Sequence, residues 1–202
     1  MGSVRPTALF FDVGGVLLTN AWDQPARRKA AEHFKLDWEE FQARHENIVY
    51  DFEIGRVGLG EYLDRSVFYR PRAFTRDDFS DFMYSQSQPY PEALALIGEL
   101  AHSRTYLLAT LNNESAELNR YRIQRFQLNN YFALFFSSCF LGVRKPDEKI
   151  YRLALEVTQR SPEECLFIDD RASNVQSARR VGMRAIKYQN TAELRQELGR
   201  QA

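Results

Sequence analysis

Three polar clusters in this 202-residue chain stand where chemistry would need them. Asp12 follows the apolar run Ala8-Leu9-Phe10-Phe11, Asn112-Asn113 closes the run from Thr105 to Leu111, and Asp169-Asp170 closes the run from Cys165 to Ile168. Unbroken apolar runs of this length have the pattern of strands buried on both faces of a parallel sheet. Open parallel sheets bind ligands beyond the carboxyl ends of their strands. One aspartate after one strand is a weak signal; three polar clusters at equivalent ends are hard to assign to solvated turns. Gathered at one site, such carboxylates repel each other and raise one another's pKa values. A hard divalent cation such as Mg²⁺ removes that conflict, binding one or two carboxylates together with water and phosphate oxygens. Lys145, in Gly142-Val143-Arg144-Lys145-Pro146, adds a positive charge. A carboxylate, a metal ion and a cation together can hold and attack a phosphoryl group by positioning and charge neutralisation.

The elements that must position these residues alternate along the chain. Two further strand candidates are Ala133 to Phe136, ending at Ser137-Ser138, and Arg184 to Tyr188, after Gly182. Between strands, Ile150, Leu153, Ala154 and Val157 recur at helical spacing behind Pro146, a residue suited to a first helical turn. Val175, Ala178 and Val181 predict another helix, closed by Gly182, and Glu92 to Leu100 a third behind Pro91. Strands alternating with helices imply right-handed βαβ units, hence an α/β fold with a Rossmann-like, doubly wound parallel sheet. Residues 20–86 break the alternation. Asp37 and Thr75 have the position of helix starts, and no buried strand stands out. The expected organisation is an α/β core from residues 1–19 and 87–202, with a small helical cap, 20–86, inserted after the first strand.

Composition narrows the partners. The 27 basic and 27 acidic residues cancel, which lends no support to a nucleic-acid or membrane-surface role. The arginine-rich stretch from Arg65 to Arg76 is expected to be a solvated face. No cationic-then-apolar leader and no run near the roughly 20 apolar residues of a membrane span is visible, so the expected location is cytoplasmic. Met1-Gly2-Ser3 is expected to stand outside the fold. Cys139 and Cys165 lack partners at metal-ligand spacing and are expected to be reduced and buried. His33, His45 and His102 lie in helical patterns without triad or ligand spacing, and the expectation for each is a surface or half-buried position. Ser137-Ser138 is expected to form a turn beside the site. Trp22, Trp38, Phe41, Tyr50, Phe52 and Tyr62 are expected to form the core of the cap, with one or two facing a substrate pocket.

Four segments in order resemble the motifs of the haloacid dehalogenase-like hydrolase superfamily. Phe10-Phe11-Asp12-Val13-Gly14-Gly15-Val16-Leu17 resembles the first, Leu111-Asn112-Asn113 the second, Arg144-Lys145-Pro146 the third, and Phe167-Ile168-Asp169-Asp170 with Asn174 the fourth. Within the superfamily the chain is similar to phosphatases of α-D-glucose 1-phosphate and to the amino-terminal phosphatase domain of epoxide hydrolases. The resemblance implies a phosphatase whose nucleophile, Asp12, becomes an aspartyl-phosphate. It further implies that Asp12 and Asp170 bind Mg²⁺ by side chain and Gly14 by its carbonyl. Asn112 and Asn113 would contact the phosphoryl oxygens or orient substrate. Lys145 would balance the charge, held by Asp169, and Asn174 would support the metal shell from behind. The implied partner is a small phosphorylated metabolite, with a sugar phosphate in view; no oligomeric state is implied.

The sequence departs from the superfamily pattern twice. Where phosphatases usually carry an aspartate acting as general acid and base, this chain has Gly14. Such help is worth about 10²–10⁴-fold in rate. Three accounts are open: a leaving group good enough to need little help, such as an anomeric sugar phosphate; a proton from a cap residue or water; or a slow relative that binds ligand without turnover. The related glucose 1-phosphate phosphatases also lack this aspartate. Asn112 stands where Ser or Thr is usual, and its amide can still donate to an oxygen. Gly14 also permits a metal-independent haloacid dehalogenase, although Asp169-Asp170 adds anions that such a site has no use for. A non-enzymatic ligand-binding role is the remaining alternative, since fold does not imply activity.

Overall fold

The computed structural model describes residues 5–200, so the Met1-Gly2-Ser3 opening lies outside the described residues. Five strands form one parallel sheet: β1 (Ala8–Phe11), β2 (Leu107–Asn112), β3 (Leu134–Ser137), β4 (Cys165–Asp169) and β5 (Arg184–Lys187), in the order β3-β2-β1-β4-β5. Alternate side chains of each strand enter different apolar layers, which explains the unbroken apolar runs. In β1, Ala8 and Phe10 join Leu111, Phe136, Tyr151 and Phe167 on one face, while Leu9 and Phe11 join Leu108, Leu166 and Ile168 on the other.

Between β1 and β2 lie α1 (Gln24–His33), α2 (Trp38–Glu46), α3 (Val49–Glu53), α4 (Leu59–Ser66), α5 (Arg76–Ser85) and α6 (Pro91–Ser103). The remaining helices are α7 (Ala116–Arg125), α8 (Ser138–Leu141), α9 (Glu148–Thr158), α10 (Ala172–Arg180) and α11 (Thr191–Arg200). Helix starts follow the side-chain chemistry. Asp37 accepts the Glu40 N–H at 2.8 Å, and Thr75 forms a reciprocal capping box with Asp78, each such cap contributing about 1 kcal/mol. Helix α9 begins at Glu148, two residues after Pro146, because the Asp147 side chain accepts the Lys149 N–H and caps it there. Ser137-Ser138 is not a turn: Ser138 opens α8.

Helices α1 to α5 enclose an apolar cluster of their own, centred on Trp22, Phe41, Phe52, Tyr62 and Phe79. They meet the sheet end at a few specific points. Glu53 pairs with Arg144 at 2.5 Å, the Ser138 hydroxyl donates to the Glu53 carbonyl, and Glu117 accepts the Leu59 N–H at 3.0 Å. Gly55 sits against the Cys139 carbonyl with φ +74°; a Cβ there would collide with that carbonyl. The Arg65–Arg76 stretch is solvated and locally paired, Arg65 with Glu61, Arg70 with Glu40 and Arg76 with Asp64. Cys139 and Cys165 are free and buried. No helix among the described residues is long and apolar enough to cross a membrane.

Candidate active site

Parallel registry brings the sequence clusters together. Phe11 pairs with Thr110 on one side and Ile168 on the other, so the residues that follow these strands emerge side by side around Asp12. The Asp12 N–H donates to the Ile168 carbonyl at 2.9 Å, which locks its backbone to β4. Carboxylate oxygens of Asp12, Asp169 and Asp170 all lie within 4.8 Å of one another.

The three carboxylates are in different electrostatic states. Lys145 Nζ lies 2.6 Å from Asp169 Oδ2 and 3.0 Å from Asp12 Oδ1, with all three residues buried. Asp169 also accepts from the Arg171 N–H at 2.8 Å and from Asn174 Nδ2 at 3.0 Å. Burial opposes its ionisation, but Lys145 and these donors outweigh burial and hold its carboxyl below the ordinary range. Asp12 receives less help. Desolvation pushes its carboxyl up despite Lys145, and Asp169 adds to the rise. Asp170 is also raised, first by burial and then by Asp169, and its buried Oδ1 has no hydrogen-bond partner. A donor-saturated Asp169 beside two under-compensated carboxylates is a cluster that a divalent cation on Asp12 and Asp170 would relieve.

The loop after β1 is shaped around that cluster. The bridge between Gly14 and Leu18 uses the Val13 carbonyl and the Gly15 N–H, so Gly14's own carbonyl takes no part in it. Gly15 has φ +74°, and a Cβ on it would run into Asp170 Oδ2. Only glycine meets both conditions comfortably. Asn20, absent from the sequence expectations, touches the same corner and hydrogen-bonds Asp170.

The two asparagines after β2 separate. Asn113 lines the cavity and clamps the Lys145 main chain, donating to its carbonyl and accepting its N–H, each at 2.8 Å. Asn112 is buried away from the cavity. Its Nδ2 donates to Asn119 Oδ1 at 3.1 Å and its Oδ1 accepts from the Ser137 hydroxyl at 3.0 Å. Its amide therefore fills a core polar network between β2, β3 and α7, and only Asn113 of the pair faces the site. Asn174 reaches Asp169 rather than Asp170.

A cavity of about 310 Å³ lies over the cluster, walled by Asp12 and Lys145 below and by the helical segment above. Trp22 and Phe52, two of the six aromatics singled out by spacing, line it. Several residues that the sequence reading did not assign to the site do so too: Arg27, His45, Glu53, Glu114, Arg122 and Arg144. His45 is 4% exposed, fully buried rather than at the surface or half-buried as expected, because the neighbouring Tyr62 hydroxyl satisfies its Nδ1. Glu114 follows Asn112-Asn113 directly; the buried Arg122 engages its carboxylate at 2.7 Å. Two signals were available: a charged residue adjoining a polar strand end pointed to Glu114, and Arg144 stood beside Lys145 in the third motif.

Comparison with known proteins agrees with this arrangement. Residues 6–182 match the family described as haloacid dehalogenase-like hydrolase. Bifunctional epoxide hydrolase 2 of Mus musculus is 38% identical over 72 residues, which is 36% of this chain and 13% of that protein. Phosphoserine phosphatase of Thermus thermophilus is 36% identical over 98 residues, 48% of this chain and 39% of that one. The chain thus spans well under half the length of these curated relatives. The structure of a haloacid dehalogenase-family enzyme of Bacteroides thetaiotaomicron, in complex with magnesium and inorganic phosphate, superimposes with a TM-score of 0.78 at 20% identity, covering 91% of this chain and 94% of that one. With its family matched across most of its length, its parallel sheet and its strand-end carboxylates, the chain belongs to the haloacid dehalogenase-like hydrolases.

Proposed function

We propose that the protein hydrolyses a small phosphate monoester, a sugar phosphate, with Mg²⁺ bound, through an aspartyl-phosphate on Asp12. The observation that carries this reading is the unequal state of the three carboxylates. Asp169 is neutralised by Lys145, while Asp170 keeps a buried oxygen with no partner beside a raised Asp12. The relatives named phosphatase, and the neighbour complexed with magnesium and phosphate, support it.

In this reading Asp12 and Asp170 hold the metal by side chain and Gly14 by its carbonyl. The metal supplies charge neutralisation at the phosphoryl oxygens and at the cluster. Asp12 attacks phosphorus through one carboxylate oxygen, its carboxylate oriented by the Val13 N–H and Lys145 on Oδ1. The ester P–O bond breaks and its electron pair leaves with the alcohol oxygen, which takes a proton from water. Water then attacks the aspartyl-phosphate, releasing inorganic phosphate and restoring Asp12. Lys145 stays in place to balance charge, fixed from below by Asp169 and along its main chain by Asn113. Asn174 acts on Asp169, keeping it aimed at Lys145. Residues 20–86 serve as the cap that closes the cavity.

Gly14 leaves the alcohol without a protonating side chain at the usual position, so the reading favours good leaving groups, and sugar 1-phosphates fit that requirement. The test is phosphate release from sugar 1-phosphates, sugar 6-phosphates and aryl phosphates, with Mg²⁺ and then with chelator. Metal-dependent release that favours the 1-phosphates is expected. A folded protein that releases phosphate from none of them overturns the proposal in favour of a ligand-binding relative or a metal-independent reaction of Asp12.

A further inference from the structure

The wall of the cavity contributed by the helical segment holds a buried cation that no carboxylate among the described residues directly neutralises. Arg27, on α1, is 7% exposed. Its Nε donates to Gln42 Oε1 at 3.1 Å and its Nη1 to the Trp22 carbonyl at 2.6 Å, both neutral partners. The carboxylates that act on it from farther away are Asp23, Glu53 and Glu46. Each is committed elsewhere: Asp23 caps α1 at the Ala26 N–H, Glu53 pairs with Arg144, and Glu46 accepts from Gln42 Nε2. The other buried cations of the cavity are matched, Lys145 by Asp12 and Asp169, and Arg122 by Glu114. A guanidinium removed from water without a counter-ion is unfavourable, and an anion arriving in the cavity would supply one.

A second donor stands on the same wall. Trp22 Nε1 can only donate, and it lies 2.8 Å from the Tyr62 hydroxyl oxygen. The hydroxyl hydrogen then goes to His45 Nδ1, also 2.8 Å away. This chain leaves the proton of a neutral His45 on Nε2, as a donor of fixed tautomer. Burial, and then Arg27, hold the imidazole neutral, with its pKa pulled down to about 3. Arg27 and His45 line the same cavity as Asp12.

We propose that Arg27 and His45 form a second oxyanion subsite, so that the substrate is a phosphate monoester carrying a further anionic group, a carboxylate or a second phosphate, beyond the ester that is cleaved. This rests on the phosphatase reading of Asp12. It adds a requirement that reading does not contain, because the metal cluster recognises only the phosphoryl end.

The test uses matched pairs with Mg²⁺: a hexose monophosphate against its bisphosphate, and a hexose phosphate against the corresponding phosphorylated sugar acid. The wild-type protein should prefer the doubly anionic member of at least one pair in kcat/KM by about tenfold or more, and the winning pair identifies the second anion. Arg27→Met should collapse that ratio toward unity, Arg27→Lys should restore part of it, and His45→Gln should lower it by a smaller factor. No wild-type preference in either pair overturns the subsite. So does an Arg27→Met variant that slows both members of a pair equally, which is the signature of a purely structural arginine. Should Arg27→Met not fold, the wild-type ratio and Arg27→Lys decide. If no ester is hydrolysed, the phosphatase reading fails by itself. Calorimetric binding of the same pairs then reads the subsite: tighter binding of the doubly anionic compound supports it, and equal binding ends it.

Discussion

The two walls of the cavity are built on different principles. The sheet wall, with Asp12, Asn113 and Lys145 backed by the buried Asp169, is built around strand ends held in register by main-chain hydrogen bonds. Lys145 is brought in by the segment after α8. Its charges are interlocked: Lys145 contacts both Asp12 and Asp169, and Asp169 is further held by Arg171 and Asn174. The helical wall, with Trp22, Arg27, His45 and Glu53, is assembled from helix faces resting on an aromatic cluster. Its polar groups are held by neutral or distant partners: Arg27 by Gln42 and the Trp22 carbonyl, His45 by the Tyr62 hydroxyl, and Glu53 by Arg144. The contrast sets a densely cross-paired carboxylate cluster against a wall whose chemistry can change one residue at a time without touching Asp12.

That division can be broken most forcefully at the sheet wall. Asp12→Asn nearly preserves shape and should lower turnover by on the order of 10⁴-fold or more, with an unchanged melting temperature or a small gain. Phosphate release near the wild-type rate from that variant would remove the covalent mechanism. Next in size is Asp170→Asn, expected to cut activity by on the order of 10²-fold and to raise the Mg²⁺ concentration needed for half-maximal rate. Gly15→Ala should produce a similar Mg²⁺ defect, since its Cβ would displace the Asp170 carboxylate. A Mg²⁺ titration unchanged in both variants would show that Asp170 is no ligand.

A gain is expected where the sheet wall is incomplete. Gly14→Asp should speed esters with poor leaving groups, by no more than about 10²-fold, and leave good leaving groups nearly unaffected. A Cβ at Gly14 stands 2.8 Å from Asn20 Oδ1, the end of a flexible side chain, so Asn20→Ala provides the roomier background. Equal rates for both ester types in both backgrounds would refute the leaving-group account of Gly14.

The smallest effect belongs to the helical wall and concerns stability rather than rate. His45 folds with a pKa of about 3 against about 6.5 when unfolded. Between those values the unfolded chain binds the extra proton, so stability should fall as pH drops from 6.5 toward 3, by at most roughly 1.4 kcal/mol per pH unit from this group. Above pH 6.5 the contribution is fully present. His45→Gln should flatten the slope in denaturant titrations at pH 7, 6 and 5, and an unaltered slope would mean that the ring is not buried neutral.

What could be read beforehand follows the same division. The five strands, their parallel arrangement and the meeting of Asp12, Lys145 and Asp169-Asp170 were legible, because a strand buried on both faces leaves an apolar run that a polar residue ends sharply. The interruption at 20–86 was legible as a helical stretch from its caps at Asp37 and Thr75. Asn112 and Asn113 could not be told apart. Adjacent residues at a strand end point to opposite sides, and only the packing of α7 and β3 decides that Asn112 serves a core network with Asn119 and Ser137 while Asn113 holds Lys145.

By itself the sequence determined the sheet, its strand-end carboxylates and the family they belong to, since these depend on local apolar periodicity and on neighbours within a few positions. Tertiary structure alone decided the helical wall. Arg27 and His45 lie 18 positions apart on different helices, and Glu53 meets Arg144 across 91 positions. Helical spacing states which face a residue occupies, but not which neighbour covers that face. The buried Tyr62 hydroxyl turned a histidine without ligand spacing into an oriented donor, and the pairing of Glu53 with Arg144 left Arg27 as the charge still to be matched.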